Sequence, residues 1–157
     1  MRLVALDLGT TTACVVSEPD MPLITMIWDL RVLRGESDGM RFLRFRNHLR
    51  EILDGSDQET VVAYELPAGA FKNGAAAEVI YGLVTEVKAV CTARSIEYTG
   101  INPSTVKQCA TGKGGGKGSG KKEVLAAARE RWPDLDVADH NLADALFVLE
   151  CARAQFA

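Results

Sequence analysis

Apolar positions fall into two kinds of run along this chain, and the order of the runs predicts an α/β protein. Leu3-Val4-Ala5-Leu6 is continuously apolar, ends on Asp7 and passes into the small-residue turn Gly9-Thr10-Thr11-Thr12. An apolar run of that length closed by a turn reads as a strand buried on both faces, with its carboxyl end at the rim of a sheet. Ala13-Cys14-Val15-Val16-Ser17 is close enough to pair back on it as a hairpin. Beyond the break Ser17-Glu18-Pro19-Asp20, the segment from Leu23 to Trp28 supplies a third strand. These three predict an antiparallel meander. Val61-Val62-Ala63-Tyr64 repeats the first pattern inside a fourth strand, Thr60 to Glu65, which follows the polar break Gly55-Ser56-Asp57 and again ends on an acid. Ile96-Glu97-Tyr98 is a short fifth.

Between and after the strands the period changes to that of helices. Phe42, Phe45, Leu49, Ile52 and Leu53 recur at helical spacing and predict a helix from Met40 to Leu53, stopped at Gly55. Its other face, with Arg41, Arg44 and His48, is read as solvated or as a phosphate contact. Ala76, Ile80, Leu83, Val87 and Val90 form one face of a long helix from about Ala75 to Arg94. Tyr81, Val84 and Cys91 give it a second apolar face, so it packs on both sides within the domain or against a partner subunit. Pro103-Ser104 opens a short helix through Val106 and Cys109, another runs from Lys122 to Arg131 and stops at Trp132-Pro133, and the last runs from Asn141 to Gln155. The expected architecture is a five-stranded mixed sheet, a meander plus two further strands, flanked by helices.

With 157 residues, 47 % of them apolar, the chain is read as one domain with a real core, carrying a flexible Gly/Lys loop at about residues 110–121. No apolar run approaches the roughly 20 residues that span a bilayer, and a cytoplasmic protein with no membrane partner is expected. The four cysteines are widely spaced and there are only two histidines, so neither a zinc site nor a disulfide framework is expected and the thiols are read as reduced. A net charge of −3 argues at first against a nucleic-acid partner. The average conceals an asymmetry, because between Glu97 and Glu123 there is no acid at all while Lys107, Lys113, Lys117, Lys121 and Lys122 fall there. The chain beyond is acidic. Thr111 to Gly120 holds six glycines and two lysines, yet Gly115-x-x-x-x-Gly120-Lys121 is followed by Lys122 where a nucleotide loop needs Ser or Thr, so no nucleotide cofactor is expected.

The candidate chemistry lies in three acidic places. Asp7 and Glu65 each end a buried strand, and Asp144 sits in a final helix that is apolar nearly all round, where a carboxylate carries a heavy desolvation cost unless it is paired or coordinates a cation. Asn141 lies one turn before Asp144 and His140 flanks it, so either can add a ligand, while Asp139 suits the helix N-cap. Hard oxygen donors without thiols suit Mg²⁺, with Mn²⁺ able to substitute. Two such ions about 4 Å apart activate a water and stabilise the leaving oxygen of a phosphodiester.

The order strand-Asp7, strand-Glu65 and terminal-helix Ala143-Asp144-Ala145-Leu146 resembles the RuvC family of Holliday-junction resolvases over essentially the whole chain. Asn102-Pro103-Ser104-Thr105-Val106-Lys107, Thr111-Gly112 and Lys121-x-x-Val124 resemble the family's segment between its last strand and the acidic helix. The resemblance implies a ribonuclease-H-like fold, a homodimer on a four-way DNA junction, and paired symmetric nicks. It also implies that Asp7, Glu65 and Asp144 are metal ligands and that Lys107 and Lys121 contact DNA or the scissile phosphate. Asn141 stands where the family commonly has Asp or His, which leaves the fourth ligand among Asn141, His140 and Asp139. The Gly/Lys loop is longer than expected, which suggests a variant such as a phage-borne resolvase. Phe71, a large aromatic in a small-residue loop just after Glu65, is either a core anchor or a wedge that stacks on bases at the crossover. Three rival readings stand beside the resolvase. They are a ribonuclease-H-like nuclease acting on RNA or another branched substrate, a non-catalytic DNA-binding member of the fold, and an actin-like sugar kinase, whose first phosphate loop Asp7-Leu8-Gly9-Thr10-Thr11 resembles.

Overall fold

The computed structural model describes residues 1–55, 59–69 and 73–157. Phe71, and the Ser56-Asp57 part of the polar break, lie outside the described residues. Five strands form one mixed sheet: β1 (Arg2–Asp7), β2 (Thr11–Ser17), β3 (Ile24–Asp29), β4 (Thr60–Glu65) and β5 (Glu97–Ile101), in the spatial order β3-β2-β1-β4-β5. β1, β2 and β3 pair antiparallel, whereas β4 pairs parallel with both β1 and β5. The expected meander with two added strands is therefore the observed sheet. Among the described residues, five helices accompany it: α1 (Met40–Leu53), α2 (Gly74–Ala93), α3 (Pro103–Thr111), α4 (Lys121–Arg131) and α5 (His140–Gln155).

Because side chains alternate across a strand, the two central strands serve two cores at once. Val4, Leu6, Val62 and Tyr64 face one layer, packed with Phe45 and Leu49 of α1 and with Leu83, Val87 and Cys91 of α2. Leu3, Ala5, Val61 and Ala63 face the other, where Leu142, Ala145, Leu146 and Leu149 of α5 cover them and Val106 of α3 and Val124 of α4 close the edges. Burial on both faces is why β1 and β4 read as continuous apolar runs. α5 is sandwiched between the sheet and α3 and α4, which accounts for its apolar character on nearly every side.

The structure differs from the expected elements in two informative places. β5 continues through Thr99 and Gly100 to Ile101, past the expected end at Tyr98, because its register against β4 runs from Val61↔Glu97 to Glu65↔Ile101. Backbone pairing with a buried neighbour extends the strand through residues that have little apolar content. The polar face expected on α1 is also not simply solvated. His48 stacks on Trp28 with ring centroids 5.1 Å apart, and Arg44 is held by the Glu36 carboxylate. Both side chains, half-buried, have partners at the edge of the α1 layer.

Candidate active site

The two strand-terminal acids are brought together by register. β1 and β4 run parallel with Leu6 opposite Tyr64, and the next residue on each strand is an acid, Asp7 on one and Glu65 on the other. Both belong to the alternation that includes Ala5 and Ala63, so both lie on the face of the sheet covered by α5. The turn after Asp7 is pinned by Thr12, whose hydroxyl donates to the Gly9 carbonyl at 2.8 Å and accepts from the Gly9 amide at 3.3 Å. Thr12 is fully buried. Its part in shaping the rim was not recognised from the sequence, although a run of three threonines after a glycine is the signal for a hydroxyl-closed turn.

α5 begins at the same rim. Asp139 is its N-cap, as expected, with its carboxylate accepting from the Leu142 amide at 3.0 Å. That cap fixes the first turn, and Asp144 follows in the second, in electrostatic contact with both strand acids. Burial raises the Asp7 carboxyl well above the ordinary range, and Asp144, then Glu65, add to the rise while Lys121 opposes it. Glu65 is pushed up to about 7, first by burial and then by Asp144, with Lys107 acting against the shift. Asp144 is raised by burial, and His140, Lys121 and Lys107 pull it back. The structure thus gathers Asp7, Glu65, Asp144, Asp139, His140, Lys107 and Lys121 into one electrostatic neighbourhood drawn from β1, β4, α3, α4 and α5.

Lys113, Lys117 and Lys122 stand apart from that cluster, exposed on and beside the Gly/Lys segment. The segment has hydrogen bonds of its own. Thr111 closes α3 by donating to the Lys107 carbonyl, and Ser119, although surrounded by glycines, is buried with its hydroxyl on the Gly116 carbonyl at 2.9 Å. Gly112, Gly116 and Gly118 adopt left-handed backbone here, which explains why glycine recurs. Asn141, half-buried in the first turn of α5, is on the same side as the cluster by its spacing from Asp144.

The donor set fits a hard divalent cation. Three carboxylates that burial and mutual repulsion hold toward their protonated forms are the arrangement whose charge a cation would offset. Among the described residues, no three His, Cys, Asp or Glu side chains already form a group of the kind that holds a metal ion.

No family model matches the chain, and no curated protein sequence matches it. Solved structures do. The chain is similar to a T. thermophilus RuvC in complex with Holliday junction substrate, with 20 % identity over 94 % of this chain and 90 % of that one and a TM-score of 0.73. It is likewise similar to a Thermus thermophilus RuvC structure, at 21 % identity over 99 % and 97 % of the two chains and a TM-score of 0.72. The protein is an α/β protein with the ribonuclease-H-like fold. Within that fold its architecture is similar to that of the two RuvC structures.

Proposed function

We propose that the protein is a divalent-metal-dependent endonuclease that resolves four-way or otherwise branched DNA by paired nicks. The observation that carries this reading is the meeting of Asp7, Glu65 and Asp144 at one sheet rim with Lys107 and Lys121 in electrostatic reach. The likeness in fold to a RuvC solved on Holliday junction substrate supports the choice of substrate. A lone carboxylate cluster would repel DNA, so the pairing of acids with cations at the same rim is what suits phosphodiester chemistry.

Asp7, Glu65 and Asp144 would hold Mg²⁺, or Mn²⁺ in its place, with Asn141, His140 or Asp139 as the fourth ligand. When bound, such ions supply activation of the attacking water and stabilisation of the leaving oxygen. Lys121, the first residue of α4, and Lys107, on α3, flank the acids and would hold the scissile phosphate over them. Lys113, Lys117 and Lys122 would grip the backbone phosphates of the arms, which positions the DNA without reading its sequence. His140, whose charge acts on Asp144, would serve the site alongside it. Two symmetric nicks need two sites related by a two-fold axis, so the active form would be a homodimer. Val84 and Cys91 of α2 are buried within this chain, and α2 would lie at or near that contact through its outward side, where Tyr81 is exposed beside Thr85 and Lys88.

The test is to incubate the protein with Mg²⁺ and a labelled four-way junction, a linear duplex, a flap and an RNA–DNA hybrid, and to map the cuts. Paired nicks confined to the junction, and abolished in Asp7→Asn, support the reading. Cutting of the hybrid alone would transfer the site to ribonuclease chemistry. Tight junction binding without any cut would make the protein a non-catalytic binder.

A further inference from the structure

Four cysteines are present, and the fold sorts them into two unlike pairs. Cys14 and Cys91 are fully buried in the layer under α1 and α2, where burial pushes both thiols up to about 12. Cys109 and Cys151 lie on the opposite side of the sheet, and the packing of α3 on α5 brings them together. The Cys151 thiol donates to the Thr105 carbonyl, at 3.9 Å. Thr105 and Cys109 are one turn apart on α3, and a helical side chain leans back over the turn before it. The sulfur of Cys109 is thereby directed to the side of α3 on which Cys151 rests, and the two thiols act on each other electrostatically. Cys109 is exposed and Cys151 half-buried.

We propose that Cys109 and Cys151 are a redox modification site: a hydroperoxide oxidises the exposed Cys109, and the pair closes to a disulfide that ties α3 to α5. In the first step the Cys109 thiolate attacks the terminal oxygen of the hydroperoxide, the O–O bond breaks, and Cys109 becomes a sulfenic acid while an alcohol, or water from hydrogen peroxide, leaves with the proton. In the second the Cys151 sulfur attacks the Cys109 sulfur, expels hydroxide and gives up its own proton, so that water departs and the disulfide remains. The two thiols lose two electrons in all, and the peroxide bond gains them. Closing the bond brings the sulfurs to about 2.0 Å across the packing of α3 on α5. Cys14 and Cys91 are shut away from the reagent. The location matters because α3 carries Lys107 and α5 carries Asp144, so the cross-link fixes the two helices that meet at the carboxylate rim.

The site is independent of the proposed nuclease activity, and so is its test. The full chain, reduced and freed of thiol, is treated with a small molar excess of hydrogen peroxide, blocked with an alkylating agent and digested with trypsin without reductant. The expected product is the peptide Gln108–Lys113 joined to Trp132–Arg153, with Cys14 and Cys91 alkylated only after unfolding. The melting temperature of the oxidised chain should rise by several degrees and return on treatment with dithiothreitol. Cys109→Ser and Cys151→Ser should each show neither the cross-link nor the thermal shift. In Cys151→Ser a sulfenic acid should remain on Cys109 and react with a dimedone probe. Cross-linking of two chains through Cys109, or oxidation of Cys109 to sulfinic acid while Cys151 stays free to alkylate, would overturn the proposal.

Discussion

Glu65 links the candidate chemistry to stability, and the link is measurable without any substrate. In the metal-free protein its carboxyl rises from 4.5 to about 7, mainly through burial and then through Asp144. A folded-state value above the unfolded one means that the folded chain binds more protons between those limits, so stability falls as pH rises through that window. The shift corresponds to about 3 kcal/mol once the group is fully ionised. Asp7 and Asp144 are also raised, so their contributions have the same sign. In a chain of this size each kcal/mol moves the melting temperature by about 2–4 °C. Urea unfolding in the presence of a chelator, at intervals from about pH 5 to about pH 8, should show wild type losing stability and Glu65→Gln losing roughly 2–3 kcal/mol less. Adding Mg²⁺ at the upper end should restore wild type by mass action and leave Glu65→Gln with a smaller gain. If the two proteins lose stability in parallel across the window, Glu65 is not buried beside Asp144 and the proposed site is wrong.

The remaining expectations concern chemistry, DNA binding and core. Asp7→Asn and Asp144→Asn should each take junction nicking below detection on a denaturing gel while binding by gel shift changes by no more than a few-fold, because the affinity comes from phosphate contacts elsewhere. Replacing Lys113, Lys117 and Lys122 together by Ala should flatten the log–log salt dependence of junction binding by about 0.9 for each phosphate no longer neutralised; an unaltered slope would free this segment of any DNA role. Phe147→Ala should cost about 3–5 kcal/mol in urea unfolding, since the side chain is essentially buried. The ring also meets Trp132 edge-on, with centroids 5.2 Å apart, so a change in native-state Trp fluorescence should accompany the substitution.

Much of the architecture was legible because single residues mark the ends of elements. β4 extends its apolar run by one polar residue at each end, α1 spans the periodic segment Met40–Leu53, and Asp139 caps α5 as its residue type favours. The end of β5 was not legible, since Gly100 breaks the strand pattern after Thr99 and is held in the sheet by its pairing with β4. The stack of His48 on Trp28 was not legible for a related reason: the two rings are distant in sequence and meet only in the fold. The neighbouring thiols Cys109 and Cys151 are distant in sequence and meet only through the packing of α3 on α5.

The site itself was half legible, and the reason lies in how the sheet is buried. An apolar run that ends on an acid identifies Asp7 and Glu65 as rim residues, because a carboxylate terminates a buried strand where water returns. The same continuous burial erases the alternation that would tell which face each acid joins. That choice is made by register. Leu6 opposes Tyr64, so the acids are adjacent and share the parity of Ala5 and Ala63. A slip of one residue between β1 and β4 would stagger the acids and turn one of them toward the α1 and α2 layer. Asp144 then depends on a different constraint, the capped start of α5 on the Ala5 and Ala63 face, which puts its second turn over the rim. The carboxylate cluster is therefore a joint product of a strand register and a helix cap, and the burial that both require is the same burial that raises Asp7, Glu65 and Asp144 together.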